Sequence, residues 1–166
     1  MENISSEFTD VLVVFPHADD EALTGGGFIS QLSAKGAKVN WLILTKGERG
    51  NTSAQYDEKL KVTRVYESHQ AAKIYGINSI IQKDYPDNGL DENKDALRKD
   101  LKQTISDLKP DLVITYDLAG LYGHPDHIVT SEIVTELITN DFTKIKLWYA
   151  SYPKKVLDTT TLPEHM

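Results

Sequence analysis

Five short apolar runs alternate with longer amphipathic stretches along the chain. The runs are rich in β-branched residues and mostly lack a strict apolar–polar alternation, which is typical of strands buried on both faces. They lie at Val11–Phe15, Val39–Leu44, Ser79–Ile81, Leu112–Thr115 and Ile145–Ala150. The stretches between them predict helices at Asp20–Lys35, Asp57–Tyr75, Asp91–Leu108 and Pro125–Asn140. This order predicts an α/β fold with a mostly parallel sheet and helices on both faces.

Two polar segments follow the first and fourth of these strands. Pro16–Glu21 reads Pro-His-Ala-Asp-Asp-Glu, and Tyr122–His127 reads Tyr-Gly-His-Pro-Asp-His. A strand order of 3-2-1-4-5 would make these two strands neighbours where the winding of the sheet reverses. Ligands of open parallel sheets bind beyond the carboxyl ends of the strands at such a reversal. We therefore expect the two segments to meet in one crevice.

The first segment has two interpretations. Asp19 and Asp20 fall at a strand-to-helix turn, where carboxylates commonly cap a helix and complement its dipole. Capping does not account for His17 just before them. Adjacent helical residues project about 100° apart, so the two carboxylates would aim at different targets, such as a metal ion and its bound water.

The second segment also has two interpretations. Pro125 suits the first position of a helix, and His124 and His127 can share one face of its first turn, with Asp126 between them. The alternative to a site is a proline-initiated helix with solvated histidines. Together the segments offer two histidines and an aspartate with open positions, which fits catalytic zinc and also the facial triad of non-haem iron enzymes.

Arg64 is a further candidate. On a helical wheel it falls, with Glu67, inside an apolar arc formed by Leu60, Ala71, Ile74 and Tyr75. A charge there needs a partner. Either the two residues form an internal ion pair, or Glu67 holds Arg64 toward a polar ligand.

Three other loop features have structural interpretations. Gly25-Gly26-Gly27, inside a predicted helix, indicates close approach of the helix to the sheet or to a ligand. Glu48 and Arg49, after the second strand, are expected to be solvated charges. Asp87, in Pro86-Asp87-Asn88-Gly89, is first of all a turn residue.

Composition narrows the class of protein. The chain has 166 residues, no cysteine and a net charge of -7. The charge argues against nucleic acid or an anionic membrane as the partner, and the missing cysteine excludes thiolate ligands and favours a reducing compartment. We expect no signal peptide from the first residues, and the sequence contains no apolar run of about 20 residues. We expect one domain over residues 1–166 with a polar tail at Leu157–Met166, in the cytoplasm, compatible with an oligomer.

With both segments in view, the chain resembles the PIG-L/LmbE-like N-acetylglucosaminyl deacetylase family. Its motifs read His-Pro-Asp-Asp-Glu and Tyr-Gly-His-Pro-Asp-His, against His17–Glu21 and Tyr122–His127 here. Weaker similarities are Gly47-Glu48 and the Arg64-x-x-Glu67 spacing. The resemblance spans about residues 10 to 150 and implies a Rossmann-like fold and zinc-dependent hydrolysis of an N-acetyl amide on a small sugar substrate.

The resemblance also implies roles by position. The metal ligands, for Zn²⁺ with Fe²⁺ or another divalent ion as alternatives, would be His17, Asp20 and His127. Asp19 would be the base, and His124 the oxyanion partner, kept charged and oriented by Asp126. Tyr122, Arg64 and Asp87 match substrate-side positions.

Two features depart from the family pattern. Ala18 replaces the usual proline, which removes no functional group. The chain is also shorter than family members usually are, and the missing C-terminal part normally helps to wall the substrate pocket. The alternatives to a deacetylase are a sugar-binding or regulatory module without turnover and an iron redox enzyme.

Overall fold

The computed structural model describes residues 7–152. Its strands are β1 (Asp10–Phe15), β2 (Lys38–Thr45), β3 (Ser79–Tyr85), β4 (Leu112–Tyr116) and β5 (Lys146–Ala150). They form one sheet in the order β3-β2-β1-β4-β5, and every neighbouring pair is parallel. The predicted strand order is confirmed, and the carboxyl ends of β1 and β4 lie side by side.

Helices cover both faces of this sheet. They are α1 (Gly26–Ala34), α2 (Glu58–Tyr75), α3 (Lys94–Leu108), the short α4 (Gly120–Gly123) and α5 (Pro125–Asn140). Side chains of β1 alternate between two cores, with Val13 and Phe15 on the side of α1 and α2, and Leu12 and Val14 on the side of α3 and α5. Burial on both faces explains why the central strands show no polar alternation.

The predicted boundaries are wrong for the edge strand β3 and for the start of α3. β3 extends four residues past its predicted end at Ile81, because it is an edge strand whose half-buried positions accept polar residues. The predicted helix from Asp91 begins with a 3₁₀ turn at Asp91–Asn93. By contrast, α2 begins within one residue of its predicted start, and Asp57 caps it by accepting hydrogen bonds from the backbone N–H groups of Lys59 and Leu60.

The helix predicted at Asp20–Lys35 is divided. A π-helical turn spans Glu21–Gly25, and α1 begins only at Gly26. Single π-helical turns occur frequently at functional sites. A Cβ atom on Gly26 would lie 2.8 Å from the Tyr75 hydroxyl, so glycine allows α1 to approach α2 closely. The close approach predicted for the glycine run therefore involves a neighbouring helix.

Within residues 7–152, no helix combines the length and apolar character needed to cross a bilayer. The polar tail predicted at Leu157–Met166 lies outside the described residues.

Candidate metal centre

The side chains of His17, Asp20 and His127 converge between the ends of β1 and β4. His17 Nδ1 lies 3.2 Å from His127 Nε2 and 3.5 Å from Asp20 Oδ2, and Asp20 Oδ1 lies 3.3 Å from His127 Nε2. Ligand atoms about 2.1 Å from a tetrahedral zinc ion stand about 3.4 Å apart. The two imidazole nitrogens thus lie near the separation that one tetrahedral ion requires, and a different oxygen of the Asp20 carboxylate lies at a similar distance from each of them.

Hydrogen bonds on the outer side of each imidazole fit the same role. His127 Nδ1 lies 3.2 Å from the carbonyl oxygen of Gly120, and His17 Nε2 lies 3.2 Å from Asp126 Oδ2 and 3.3 Å from Asp87 Oδ1. Donation of these outer N–H groups leaves the inner lone pairs free. Metal-binding histidines are oriented by such contacts to carboxylates and carbonyls.

The ring of His127 is held by an unusual backbone segment. Gly120 has φ +63°, and a Cβ atom there would lie 3.0 Å from the backbone nitrogen of Ile128 and 3.1 Å from Cβ of His127. Only glycine permits this approach, which brings its carbonyl oxygen to the imidazole. Leu121 also has a positive φ, of 64°. Strained backbone of this kind concentrates at functional sites.

The cluster has strong internal electrostatics. Burial opposes a charge on His17, but hydrogen bonds to Asp126, Asp20 and Asp87 outweigh it and raise the His17 pKa well above its usual value. Burial likewise opposes a charge on Asp20, yet His127 and His17 hold its pKa well below the usual range. Without an ion, a proton on His17 is therefore favoured, and a metal must displace that proton to bind.

Asp19 points away from these residues. Its side chain is 42% exposed, and Oδ2 lies 3.6 Å from Nη2 of Arg64. Asp20, in contrast, is 5% exposed at the side chain and faces the two histidines. The expected divergence of the two carboxylates is observed. Burial and the adjacent Asp20 raise the pKa of Asp19, although Arg64 opposes this.

Arg64 forms the ion pair with Glu67 that one interpretation predicted, and it also lies where the other would place it, at the crevice. Its Nη1 lies 3.1 Å from Glu67 Oε2, and its side chain also lines the crevice beside Asp19. The apolar arc that drew attention to it is wrong in part, because Ile74 is 79% exposed. The buried side of α2 instead carries Ser68 and Ala72, which follow Arg64 at four-residue intervals.

His124 differs most from expectation. The carboxylate of Asp126 contacts His17 and accepts hydrogen bonds from the backbone N–H groups of Asn88 and Leu90. His124 Nδ1 accepts a hydrogen bond from the backbone N–H of Asp126 instead. Burial, together with the charges of His17 and His127, lowers the pKa of His124 to about 4. The expectation that Asp126 keeps His124 charged is therefore corrected, and the group of Asp126 that orients the ring is its backbone N–H.

The same hydrogen bond defines what His124 can do. In a neutral imidazole whose Nδ1 accepts, the proton resides on Nε2. A ring nitrogen of His124 lies within 4.8 Å of those of His17 and His127. His124 therefore offers a neutral N–H donor beside His17, Asp20 and His127, which are called the ligand cluster below. This donor does not require a positive charge on His124.

A crevice of about 160 Å³ opens over these groups. Its lining includes six of the nine expected site residues, which are His17, Asp19, Arg64, Asp87, Tyr122 and His124, while Asp20, Asp126 and His127 lie beneath it. The ring of Tyr122 stands edge-on to His127 at 5.1 Å between centroids. Asp87 occupies the expected turn, closed by a hydrogen bond from Gly89 N–H to Pro86 O. A larger cavity, of about 560 Å³, lies between α1 and β5 and contains none of the nine.

The positions of two residues in the site were not predicted from the sequence. Glu48 was expected in solvent, but it is 5% exposed and its Oε1 accepts a hydrogen bond from the Asp87 backbone N–H. Tyr116, at the end of β4, is 1% exposed and stacks on His127 with centroids 4.1 Å apart and planes within 10°. Both stand at or just after the carboxyl end of a strand, which was the available signal. Arg49 is exposed, as expected.

A parallel sheet with two histidines and a carboxylate gathered at its reversal defines a Rossmann-like domain suited to a divalent ion. Residues 12–138 match the family described as PIG-L, GlcNAc-PI de-N-acetylase. This match covers more than half of the chain, and the chain belongs to that family.

Similar proteins carry related names. The chain is 34% identical over 146 residues to the 1D-myo-inositol 2-acetamido-2-deoxy-alpha-D-glucopyranoside deacetylase of Corynebacterium glutamicum, covering 74% of this chain and 50% of that protein. It is 34% identical to the probable N-acetyl-alpha-D-glucosaminyl L-malate deacetylase 2 of Bacillus anthracis, covering 77% and 58%. The structure of N,N'-diacetylchitobiose deacetylase from Pyrococcus horikoshii matches with TM-score 0.73 and 30% identity, covering 83% and 52%. The chain thus spans about half the length of these relatives.

Proposed function

We propose that this protein is a metal-dependent hydrolase that removes the N-acetyl group from an N-acetylglucosamine-type sugar or glycoside. The proposal rests on one observation. His17, Asp20 and His127 converge, while the carboxylate of Asp19 lies beside them and outside the proposed ligand set. A pure binding module has no need of a carboxylate base next to its ligands. The names of the relatives, deacetylases of acetylated amino sugars, support the same reaction.

Zinc is the proposed ion. Two imidazole nitrogens 3.2 Å apart, and a carboxylate whose two oxygens lie 3.3 and 3.5 Å from them, are donors of the kind that zinc binds. A divalent ion held there supplies a Lewis acid that polarises a carbonyl and lowers the pKa of water. The same donors suit Fe²⁺, so reconstitution with each ion separates the two.

Asp19 is the proposed general base. It lies in the crevice next to the ligand Asp20 but directs its carboxylate toward open space and Arg64. Its raised pKa brings it closer to neutral pH, which strengthens a carboxylate as a proton acceptor. After taking a proton from the attacking water, Asp19 can return it to the leaving amine.

His124 and Tyr122 form the proposed wall around the acetyl group. The Nε2–H of His124 can donate to the oxygen of the amide as negative charge develops there. One such donor is typically worth about 3 kcal/mol in the transition state. The half-buried Tyr122 ring closes the side of the crevice beside His124.

Arg64 and Asp87 are the proposed contacts to sugar hydroxyls. Both line the crevice, and both are held by other residues, Arg64 by Glu67 and Asp87 by the backbone of Arg49 and the side chain of Glu48. Held side chains lose little entropy when a sugar binds, so they suit substrate positioning.

The test combines metal analysis with product analysis on the full chain. Protein stripped with a chelator is reloaded with Zn²⁺ or Fe²⁺ and incubated with N-acetylglucosaminyl inositol, N-acetylglucosaminyl malate and diacetylchitobiose. Release of acetate and free amine that depends on the ion, without oxygen or reductant, is the expected result. Turnover that requires oxygen and a reductant would indicate a redox enzyme. Sugar binding without acetate release would indicate a binding module.

A further inference from the structure

Arg49 places an uncompensated positive charge at the rim of the crevice. Its side chain is exposed and lines the opening. Between residues 7 and 152, no carboxylate lies within ion-pair distance of its guanidinium, and its side-chain hydrogen bond is a long one, 3.5 Å, to the carbonyl oxygen of Ala54. The other arginine of the crevice, Arg64, is shared between Asp19 and Glu67.

The backbone at Arg49 is fixed although its side chain is exposed. Arg49 N–H donates to Asp87 Oδ2 at 2.9 Å, and Asp87 N–H donates to Glu48 Oε1 at 2.9 Å. These two hydrogen bonds, one donated by each segment, connect the loop after β2 to the turn after β3. The guanidinium is therefore attached to a well-defined point beside the catalytic crevice.

The remaining charges of the crevice are already paired. Asp19 faces Arg64, and Asp87 faces His17. The chain as a whole carries a net charge of -7, so a negative substrate is repelled elsewhere on its surface. An anionic group that enters this region meets Arg49 as the free cation of the crevice lining.

The size of the crevice indicates which part of a substrate reaches Arg49. Its volume is about 160 Å³, whereas pockets that enclose a drug-sized ligand measure about 300–1,000 Å³. We therefore place the acetylated sugar over the ligand cluster. The group attached to that sugar must extend across the rim.

We propose that Arg49 recognises an anionic group, a carboxylate or a phosphate, on the part of the substrate attached to the N-acetyl sugar. The inference rests on the proposed deacetylase function and adds a substrate class to it. A guanidinium presents paired N–H donors that match the two oxygens of either anion.

Three matched substrates test this with the metal-loaded full chain. They are the methyl glycoside of N-acetylglucosamine, which is neutral, its malate glycoside, and N-acetylglucosamine 1-phosphate. An exposed charge pair is worth up to about 1 kcal/mol and a factor of ten is 1.4 kcal/mol, so we expect kcat/KM for acetate release to be about two- to fivefold higher for an anionic substrate. Comparison of kcat/KM for the malate and phosphate substrates shows which of the two anions Arg49 binds better.

The variant Arg49→Gln should bring the anionic-to-neutral ratio of kcat/KM close to one, mainly through KM. Arg49→Glu should invert the ratio. The matched control is Arg98→Gln, which removes an exposed arginine on α3 that pairs with Glu136 outside the crevice, and it should leave the ratio as in the parent. Equal kcat/KM for all three substrates in the parent chain overturns the inference while leaving the deacetylase proposal intact. An equal loss on all three substrates in Arg49→Gln also overturns it.

Release of no acetate from any substrate would contradict the proposed function itself. In that case the affinity for each sugar supplies a second measurement of the role of Arg49. Calorimetric titration of N-acetylglucosamine 1-phosphate and of N-acetylglucosamine should then show tighter binding of the phosphate, and Arg49→Gln should remove the difference. Equal affinities in the parent chain would overturn the role of Arg49.

Discussion

The ligand cluster (His17, Asp20 and His127) and the crevice wall (Asp19, Arg64, Tyr122 and His124) come from the same two short segments and α2, but they differ in burial. Side-chain exposure is 12%, 5% and 0% across the cluster, against 42% for Asp19 and 27% for Arg64 in the wall. The polar atoms of the cluster contact one another or the carboxylates and the carbonyl oxygen around them. The side chains of the wall line the open crevice. This difference fits the proposed roles, in which the cluster holds a metal ion and the wall contacts a substrate.

Direction of projection, more than position in the sequence, separates the two groups. Asp19 and Asp20 are adjacent, yet one pairs with Arg64 and the other with two histidines. His124 ends a loop and uses Nδ1 to cap α5, while His127 points from the first turn of α5 into the buried cluster. Neighbouring residues can therefore have separable functions, and substitutions can test each group alone.

The largest expected effect follows removal of a cluster ligand. Asp20→Asn exchanges an anionic ligand for a neutral one, and His127→Ala removes a nitrogen from a fully buried site. Both should lose metal and activity together, with metal affinity falling by more than the about 10–100-fold that outer contacts contribute. Metal content after gel filtration measures this. Full occupancy in His127→Ala would contradict the ligand assignment.

The next effect separates the wall from the cluster. Asp19→Asn keeps the size of the side chain and removes its basicity, so metal should be retained while acetate release falls by about 10²–10⁴. Metal content and activity are measured on the same sample as Asp20→Asn. Loss of metal from Asp19→Asn with retention in Asp20→Asn would exchange the two roles. Full activity in Asp19→Asn would assign the base to another group.

Some of this arrangement is predictable from the sequence. Apolar runs and the rule for open parallel sheets predict the strand order and the meeting of the two polar segments, because both depend on local pattern and topology. Contacts between distant loops are not encoded locally. The carboxylate of Asp126 turns to His17, 109 positions away, and Glu48 is buried by the turn at Asp87. The π-helical turn after Asp20 also escapes a pattern that assumes regular helical spacing.

Glu21 follows Asp20, a proposed ligand, but belongs to neither group. Burial raises its pKa from 4.5 to about 7, and Asp20 and Asp19 add to this. A carboxyl whose pKa is raised by folding contributes stability that is fully present below about pH 4.5 and lost as pH rises through about 7. In metal-free protein, Glu21→Gln should therefore weaken the decline in unfolding free energy between pH 5 and pH 8, by on the order of 2–3 kcal/mol.

Urea unfolding at the two pH values measures this difference. Glu132→Gln, at an exposed position of α5, is the matched control and should follow the parent chain. An identical pH dependence in Glu21→Gln and the parent would show that the Glu21 carboxyl is not protonated at neutral pH.

A smaller effect is expected at Tyr116, which supports the cluster without contributing a ligand. Its ring stacks on His127 and also packs against Phe15. The ring centroids of Tyr116 and Phe15 lie 4.7 Å apart. Tyr116→Leu should weaken metal binding by about tenfold, the lower end for residues that orient a ligand. Tyr116→Phe keeps the stack and should retain most of the affinity. Competition with a chromophoric chelator measures both, and unchanged affinity in Tyr116→Leu would show that the stacked ring does not orient His127.

The smallest effect is expected at Arg64, which belongs to the wall. Arg64→Ala should raise KM several-fold and lower kcat less, because a contact made equally in the ground and transition states is lost. Since Arg64 also lowers the pKa of Asp19, its removal should move the acid limb of the kcat/KM profile to higher pH. Glu67→Gln removes the ion pair but keeps the cation beside Asp19, and it should leave that limb near its parental position. Unchanged KM and an unchanged pH profile in Arg64→Ala would reduce Arg64 to an internal partner of Glu67, and the wall would then consist of residues from the two polar segments alone.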